Sequence, residues 1–193
     1  RLCERPSRPK SGVRALILAP TRELAEQTHA TGIALARGTG VRCAAIYGGV
    51  GMQPQVSALR NGASVVSACP GRFLDHIRQS TVNLRNLEVL VLDEADHMFD
   101  MGFLPDIRKI IASLPTKRQN MLFSATMPDS IRNLAQDVLH KPVTIAIDHA
   151  SPAETVEHDT YPVAEHLKTK LLKAILAKDG AGSVLVFTRT KHR

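Results

Sequence analysis

The sequence predicts an α/β protein, a parallel sheet with helices on both faces. Three observations predict it. Short aliphatic runs alternate with amphipathic stretches through most of the 193 residues. Most of the runs are apolar without interruption, as strands covered on both faces must be. The chain is 44% hydrophobic but only 4% aromatic and holds no Trp, so aliphatic side chains must do the packing. Against a prior of about 150 residues per domain, this length gives one domain and a remainder.

Strands are predicted at 15–19, 43–47, 65–68, 89–92, 120–123 and 143–147. Helices are predicted between them at about 21–37, 53–60, 71–79, 104–113 and 129–139. In the first helix Leu24, Thr28, Thr31 and Leu35 recur at three-to-four spacing, with Ala25 and Ala34 beside them. Thr21, Pro54 and Pro128-Asp129 mark helix starts. The stretch from Asp148 onward has no periodicity and is rich in turn formers, which makes 149–155 a linker. A strand at 156–163, a helix at 165–178, a Gly-Ala-Gly turn and a strand at 184–187 then begin a second α/β unit. The expected organisation is therefore a first domain over 1–148 and the opening of a second over 156–193. The chain starts at Arg1 with charges and prolines, and is expected to be an internal piece of a longer protein.

The formal net charge is +7, unevenly spread. Residues 1–50 hold 8 basic and 3 acidic groups, whereas residues 51–100 hold 4 and 6. Such a layout suits a protein that handles polyanions and keeps carboxylates for a metal or a proton, although ordinary surface charge produces similar totals. No run reaches the roughly 18 apolar residues of a membrane helix, and no export signal opens the chain, which points to the cytoplasm and away from membranes. Cys3, Cys43 and Cys69 are odd in number and far apart. They read as reduced thiols, two of them buried, and not as a disulfide framework or zinc site.

The most informative segment is Asp93-Glu94-Ala95-Asp96, which follows the aliphatic run Val89-Leu-Val-Leu92 directly. Carboxylates at the C-terminal end of such a strand sit where open α/β sheets bind ligands. One of two adjacent acids can hold a hydrated Mg²⁺ while the other accepts a proton from an attacking water. Acids at a helix start are also favoured by the helix dipole, so the pair alone does not decide. Pro20-Thr21-Arg22 and Cys69-Pro70-Gly71-Arg72 each join a strand to a helix, where free amides and an Arg suit a phosphate. Gly48-Gly49 offers backbone without side-chain obstruction. A plain helix cap is the competing reading for Thr21, and for Ser124-Ala-Thr126 as well.

Taken together, these segments resemble the DEAD-box ATP-dependent RNA helicases. Asp93–Asp96 spells the motif that names the family. Pro20-Thr-Arg-Glu-Leu-Ala25, Gly48-Gly49, Cys69-Pro-Gly-Arg72, Ser124-Ala-Thr126 and Val186-Phe-Thr-Arg189 resemble its other motifs, in the family's order. The wording Met98-Phe-Asp-Met-Gly-Phe-Leu-Pro-Asp106 looks most like the bacterial ribosome-assembly members.

The resemblance implies a RecA-like fold for both units and MgATP hydrolysis coupled to local RNA unwinding. Asp93 would hold Mg²⁺ through water, Glu94 would position and deprotonate the attacking water, and Asp96 would couple to Ser124 and Thr126. Pro20, Thr21, Arg22, Gly48, Gly49, Pro70, Gly71 and Arg72 would contact RNA through its backbone, without reading bases. Partners among ribosome-assembly or RNA-decay proteins are implied in the same way. Cys69 stands where the family has a Thr, and a thiol is a weaker donor than a hydroxyl.

The phosphate-cradling Gly-Lys-Ser/Thr loop is absent from these 193 residues, which contain no Gly-Lys pair. The chain by itself is therefore expected not to hydrolyse ATP. A second reading is a non-catalytic fragment that binds the RNA backbone.

Overall fold

The computed structural model describes residues 12–146, 157, 159–177 and 182–188. Five strands form one sheet: β1 (Ala15–Leu18), β2 (Cys43–Ile46), β3 (Val65–Ala68), β4 (Val89–Leu92) and β5 (Gln119–Leu122). Their order is β2-β3-β1-β4-β5, and every neighbouring pair is parallel. The helices are α1 (Arg22–Ala36), α2 (Met52–Arg60), α3 (Pro70–Arg78), α4 (Ala95–Asp100), α5 (Leu104–Ala112), α6 (Asp129–Val138) and α7 (Lys168–Leu176). The chain divides after Val143 into two compact units, and the sheet belongs to the first.

The aliphatic runs form strands because each can bury itself between neighbours and helices. Leu16, Leu18, Ile46, Val66, Leu90 and Leu92 are all fully buried. Helices α3 and α5 pack on each other and contribute Phe73, Ile107 and Ile110 to the same core. Helix α1 approaches the sheet through small residues. Ala25 and Ala36 are its buried positions, and a Cβ on Gly32 would lie 3.2 Å from the Cys43 sulfur.

The register sets the site. Ile46, Ala68, Leu18, Leu92 and Leu122 lie side by side across the five strands. The amides of Cys69, Ala19, Asp93 and Phe123 carry the ladder one residue further, at 2.8–2.9 Å. All five strands thus deliver their following loops to one edge.

At the other end, Arg14 and Glu88 tie β1 to β4 through two hydrogen bonds, Nε to Oε1 at 3.1 Å and Nη2 to Oε2 at 3.3 Å. Arg14 is buried and Glu88 is partly exposed, so the pair is only partly shielded from water. Arg14→Ala should lower stability by about 2 kcal/mol, between the effects of an exposed and a fully buried pair. Urea unfolding checks this, and an unchanged midpoint would contradict it.

Several expectations are corrected. Leu35 is 73% exposed and does not join the buried stripe of α1, because the small residues bring a different face to the sheet. Helix α2 begins at Met52, which leaves Pro54 inside its first turn. Residues 143–146 form no strand, and Val143 and Ile145 are 87% and 84% exposed. The described parts of 156–163 and the run 184–187 are likewise irregular. These segments are apolar enough, but a strand requires a paired neighbour, and none faces them among the described residues. Helix 165–178 is observed as a 3-10 turn at Glu165–Leu167 followed by α7. Cys43 and Cys69 are half-buried, where full burial was expected. The linker at 149–155 lies outside the described residues, as do Ile147, Val156, Lys178 and Arg189.

Candidate functional site

Along the C-terminal edge of the sheet, the loops follow strand order. Gly48-Gly49 leaves β2, Cys69–Arg72 leaves β3, Pro20–Arg22 leaves β1, Asp93–Asp96 leaves β4, and Ser124–Thr126 leaves β5. The three phosphate-type junctions therefore occupy three adjacent strands, and the acidic and hydroxyl segments occupy the other two. Neighbouring strands are roughly 4.8 Å apart, so the two halves meet across one strand spacing, between β1 and β4.

In the acidic half, Glu94 takes a left-handed conformation, φ 50° and ψ 55°, which turns the chain from β4 into α4. A non-glycine residue there is strained by roughly 1–3 kcal/mol and persists only where its surroundings enforce it. Two bonds do so: the Asp93 amide donates to Leu18 O at 2.9 Å, and the Ala95 amide donates to Phe123 O at 3.0 Å. Glu94 Oε2 lies 3.2 Å from His97 Nδ1.

Asp96 joins β4 to the loop after β5. Its Oδ2 accepts from the Thr126 hydroxyl at 2.7 Å and the Thr126 amide at 2.9 Å, and its Oδ1 accepts from the His97 amide at 3.1 Å. Its own amide donates to Ser124 Oγ at 3.2 Å, and that hydroxyl donates to Thr126 O at 2.7 Å. Residues 30 positions apart are locked by a single carboxylate.

The titration of Asp96 follows from these bonds. Burial alone would raise its pKa, but the hydrogen bonds from Thr126, Ser124 and the His97 amide outweigh it and hold the carboxyl at about 2, below its ordinary 3.8. A depressed carboxyl stabilises the fold above its unfolded pKa, and that stability is lost as pH falls through the folded value. The stability gap between the wild type and Asp96→Asn should therefore be full at pH 5 and close between pH 3.8 and about 2. A gap that ignores pH in unfolding experiments would contradict this.

Asp93 shows the opposite tendency. Burial, followed by the neighbouring Glu94 charge, raises its pKa. A half-buried carboxylate crowded by a like charge fits a cation, and its hard oxygens suit Mg²⁺. Among the described residues no three acidic, His or Cys side chains gather as a metal cage.

The basic half is open to solvent. A Cβ at Gly48, Gly49 or Gly71 would meet nothing within 4 Å, so packing does not require these glycines, and their bare backbone can be approached from outside. Gly49 also needs glycine for its φ of 78°. Thr21 caps α1, its Oγ1 accepting from the Leu24 amide at 3.3 Å, so the cap reading holds there whatever else Thr21 does. Pro70 is buried in the first turn of α3, and Cys69 makes no side-chain cap bond. Burial, then Glu23, pushes the Cys69 thiol up, which keeps it protonated. Arg22 binds Glu26 Oε1 at 3.1 Å, and Arg72 donates to Val50 O at 2.9 Å.

The structure thus brings Asp96, Ser124 and Thr126 into direct contact and sets Asp93 and Glu94 on the neighbouring strand end. The basic junctions line up beside them. Val186 and Thr188 of the late motif are described within the second unit. His97 and Tyr47 also belong to this edge, and Gln55 and His76 connect to Tyr47 from the interior; sequence reasoning missed all four. No local pattern marks them, since their partners lie 3 to 21 residues away.

Comparisons with known proteins agree with this arrangement. The profile of the family described as DEAD/DEAH box helicase matches residues 2–134. The chain is 36% identical over 187 residues to the ATP-dependent RNA helicase RhlB of Proteus mirabilis, covering 95% of this chain and 43% of that protein. It is 41% identical to the ATP-dependent RNA helicase CshA of Listeria monocytogenes, covering 95% and 35%. It is 39% identical to the DEAD-box ATP-dependent RNA helicase 14 of Arabidopsis thaliana, covering 95% and 30%. The chain therefore spans less than half the length of these relatives. The crystal structure of a DEAD box protein from the hyperthermophile Methanococcus jannaschii superposes with a TM-score of 0.68 at 38% identity, covering 88% of this chain and 46% of that one. With its carboxylate strand end, its bridging Asp96 and its parallel RecA-like sheet, the chain belongs to the DEAD/DEAH box helicase family.

Proposed function

We propose that this sequence is part of an ATP-dependent RNA helicase that hydrolyses MgATP and opens short RNA duplexes locally. The observation that carries the reading is the Asp96 bridge. It links the acidic strand end to Ser124 and Thr126 at the same sheet edge as three phosphate-type junctions.

In this reading Asp93 holds Mg²⁺ through water, and Glu94 orients the attacking water and takes its proton. The metal supplies neutralisation of phosphate charge. Asp96, Ser124 and Thr126 pass the nucleotide state to the RNA-binding half. Pro20, Thr21, Arg22, Gly48, Gly49, Pro70, Gly71 and Arg72 hold the RNA backbone without selecting bases. Residues 1–148 act as the first RecA-like domain, 149–155 as a linker, and 156–193 as the opening of the second. Partners of the ribosome-assembly or RNA-decay class are proposed from the Met98–Asp106 wording. A cytoplasmic location is proposed because Cys69, a half-buried free thiol, suits a reducing compartment.

A second reading concerns the 193 residues alone. With no Gly-Lys loop in the sequence, they act as an RNA-backbone binder without turnover.

Strand displacement tests the first reading. The full-length protein should separate a short RNA duplex only with ATP and Mg²⁺ both present, whereas the 193-residue chain should show no ATPase above background. Separation at equal rate without ATP would contradict the helicase reading, and turnover by the isolated chain would contradict the second.

A further inference from the structure

The three basic junctions are joined by a chain of hydrogen bonds that runs through Tyr47. On its outer side, the Tyr47 hydroxyl donates to Glu26 Oε1 at 2.5 Å. The same Glu26 oxygen receives Arg22 Nε, whose guanidinium lies over the Tyr47 ring, 4.7 Å from its centre. On its inner side, the Tyr47 carbonyl accepts from Gln55 Nε2 at 2.9 Å. That bond turns Gln55 Oε1 toward His76 Nε2, 3.1 Å away, and His76 Nδ1 lies 2.7 Å from the Thr81 hydroxyl.

The directions are fixed by chemistry. Gln55 gives its amide hydrogen to Tyr47, so its oxygen must accept, and His76 Nε2 carries a proton. The one hydrogen of the Thr81 hydroxyl is then shared between His76 Nδ1 at 2.7 Å and the His76 carbonyl at 3.2 Å. Gln55 and His76 are 6% and 0% exposed, so no water can replace these partners. Burial, followed by the Arg72 guanidinium, lowers the His76 pKa and keeps the imidazole neutral, as the chain of bonds requires. From α3, which carries His76, Arg72 reaches back to Val50 O, just past Gly48-Gly49.

A hydrophobic core would have been a cheaper filling for this interior, because buried polar groups stabilise little unless every one is satisfied. Here each is satisfied, and the ends of the chain lie at Arg22, at the Gly48-Gly49 turn and on the helix that begins at Pro70. We infer that Tyr47, Gln55 and His76 are positioning residues that lock the Pro20–Arg22, Gly48-Gly49 and Pro70–Arg72 junctions into one rigid receptor for consecutive RNA phosphates. The inference rests on the proposed RNA-binding role of those junctions and adds the device that fixes their spacing. None of the three side chains need touch RNA.

The test uses the full-length protein and a fluorescent single-stranded oligouridine, with a non-hydrolysable ATP analogue for binding and ATP for turnover. Tyr47→Phe keeps the ring on Arg22 and removes one surface bond, and Gln55→Met keeps the volume and removes the interior link. RNA affinity should fall by roughly three- to tenfold in Tyr47→Phe and five- to thirtyfold in Gln55→Met. The RNA concentration giving half-maximal ATPase should rise by the same factors, while the maximal rate and the KM for ATP stay fixed. Arg14→Ala is the control for general destabilisation, because it unsettles the opposite end of the sheet, and it should leave RNA affinity unchanged.

Wild-type binding with both variants unchanged would overturn the inference alone. So would an equal loss of affinity in Arg14→Ala. If the wild type itself holds no RNA, the RNA-binding reading of the junctions fails first. Should Gln55→Met not fold, Tyr47→Phe still decides.

Discussion

Glu94→Gln in the full-length protein should reduce ATP turnover by roughly 10²–10⁴-fold while ATP and RNA binding persist. Glutamine keeps the length and shape of the side chain, and its amide can still meet His97 across the 3.2 Å contact. The left-handed turn at this residue is enforced by backbone bonds at Asp93 and Ala95, which the substitution does not touch. What disappears is the carboxylate that can take a proton from water. The expected result is a protein that loads both ligands and stalls. Steady-state phosphate release and RNA binding, measured side by side, check it. Turnover at the wild-type rate would remove Glu94 from the role of base.

The second large effect falls on Asp96. Ser124→Ala combined with Thr126→Ala removes both hydroxyls from the bridge but leaves the amides of Thr126 and His97 on the carboxylate. The Thr126 hydroxyl bonds the charged carboxylate, worth about 1.5–3 kcal/mol, and the Ser124 hydroxyl bonds the neutral Asp96 amide, worth about 0.5–1.5 kcal/mol, so unwinding should fall by at least tenfold. Hydrolysis should remain near its wild-type rate, because Asp93 and Glu94 are unaltered and sit on the preceding strand end. Equal loss of hydrolysis and unwinding would place the two hydroxyls in catalysis rather than in coupling.

The degree to which the sequence foretold this depends on what kind of information each feature needs. The runs at 15–18, 43–46, 65–68 and 89–92 are readable because their burial is written into a largely apolar pattern. The run at 143–147 has the same pattern, yet 143–146 forms no strand. Pairing is a property of the neighbour, and composition cannot supply one. Helix α4 and the left-handed Glu94 were also invisible, since a six-residue helix leaves little periodicity and a strained torsion leaves none.

Motif residues could be named from the sequence, but their order along the edge could not. Chain order runs β1 to β5, whereas spatial order places β2 and β3 outside β1. Only that rearrangement gathers the basic junctions on one side of the acids. The Tyr47–Gln55–His76 link illustrates the same limit: its partners are 8 and 21 residues apart, and each looks unremarkable in isolation.

In the proposed function, one sheet edge connects an ATP-hydrolysing half to an RNA-holding half. The most direct test is the rate of MgATP hydrolysis by the full-length protein with and without single-stranded RNA, at low and high salt. RNA should stimulate hydrolysis severalfold or more at low salt, and the stimulation should fall steeply as salt rises, because phosphate contacts dominate binding. Hydrolysis that is the same with RNA, without it and at every salt concentration would contradict the account.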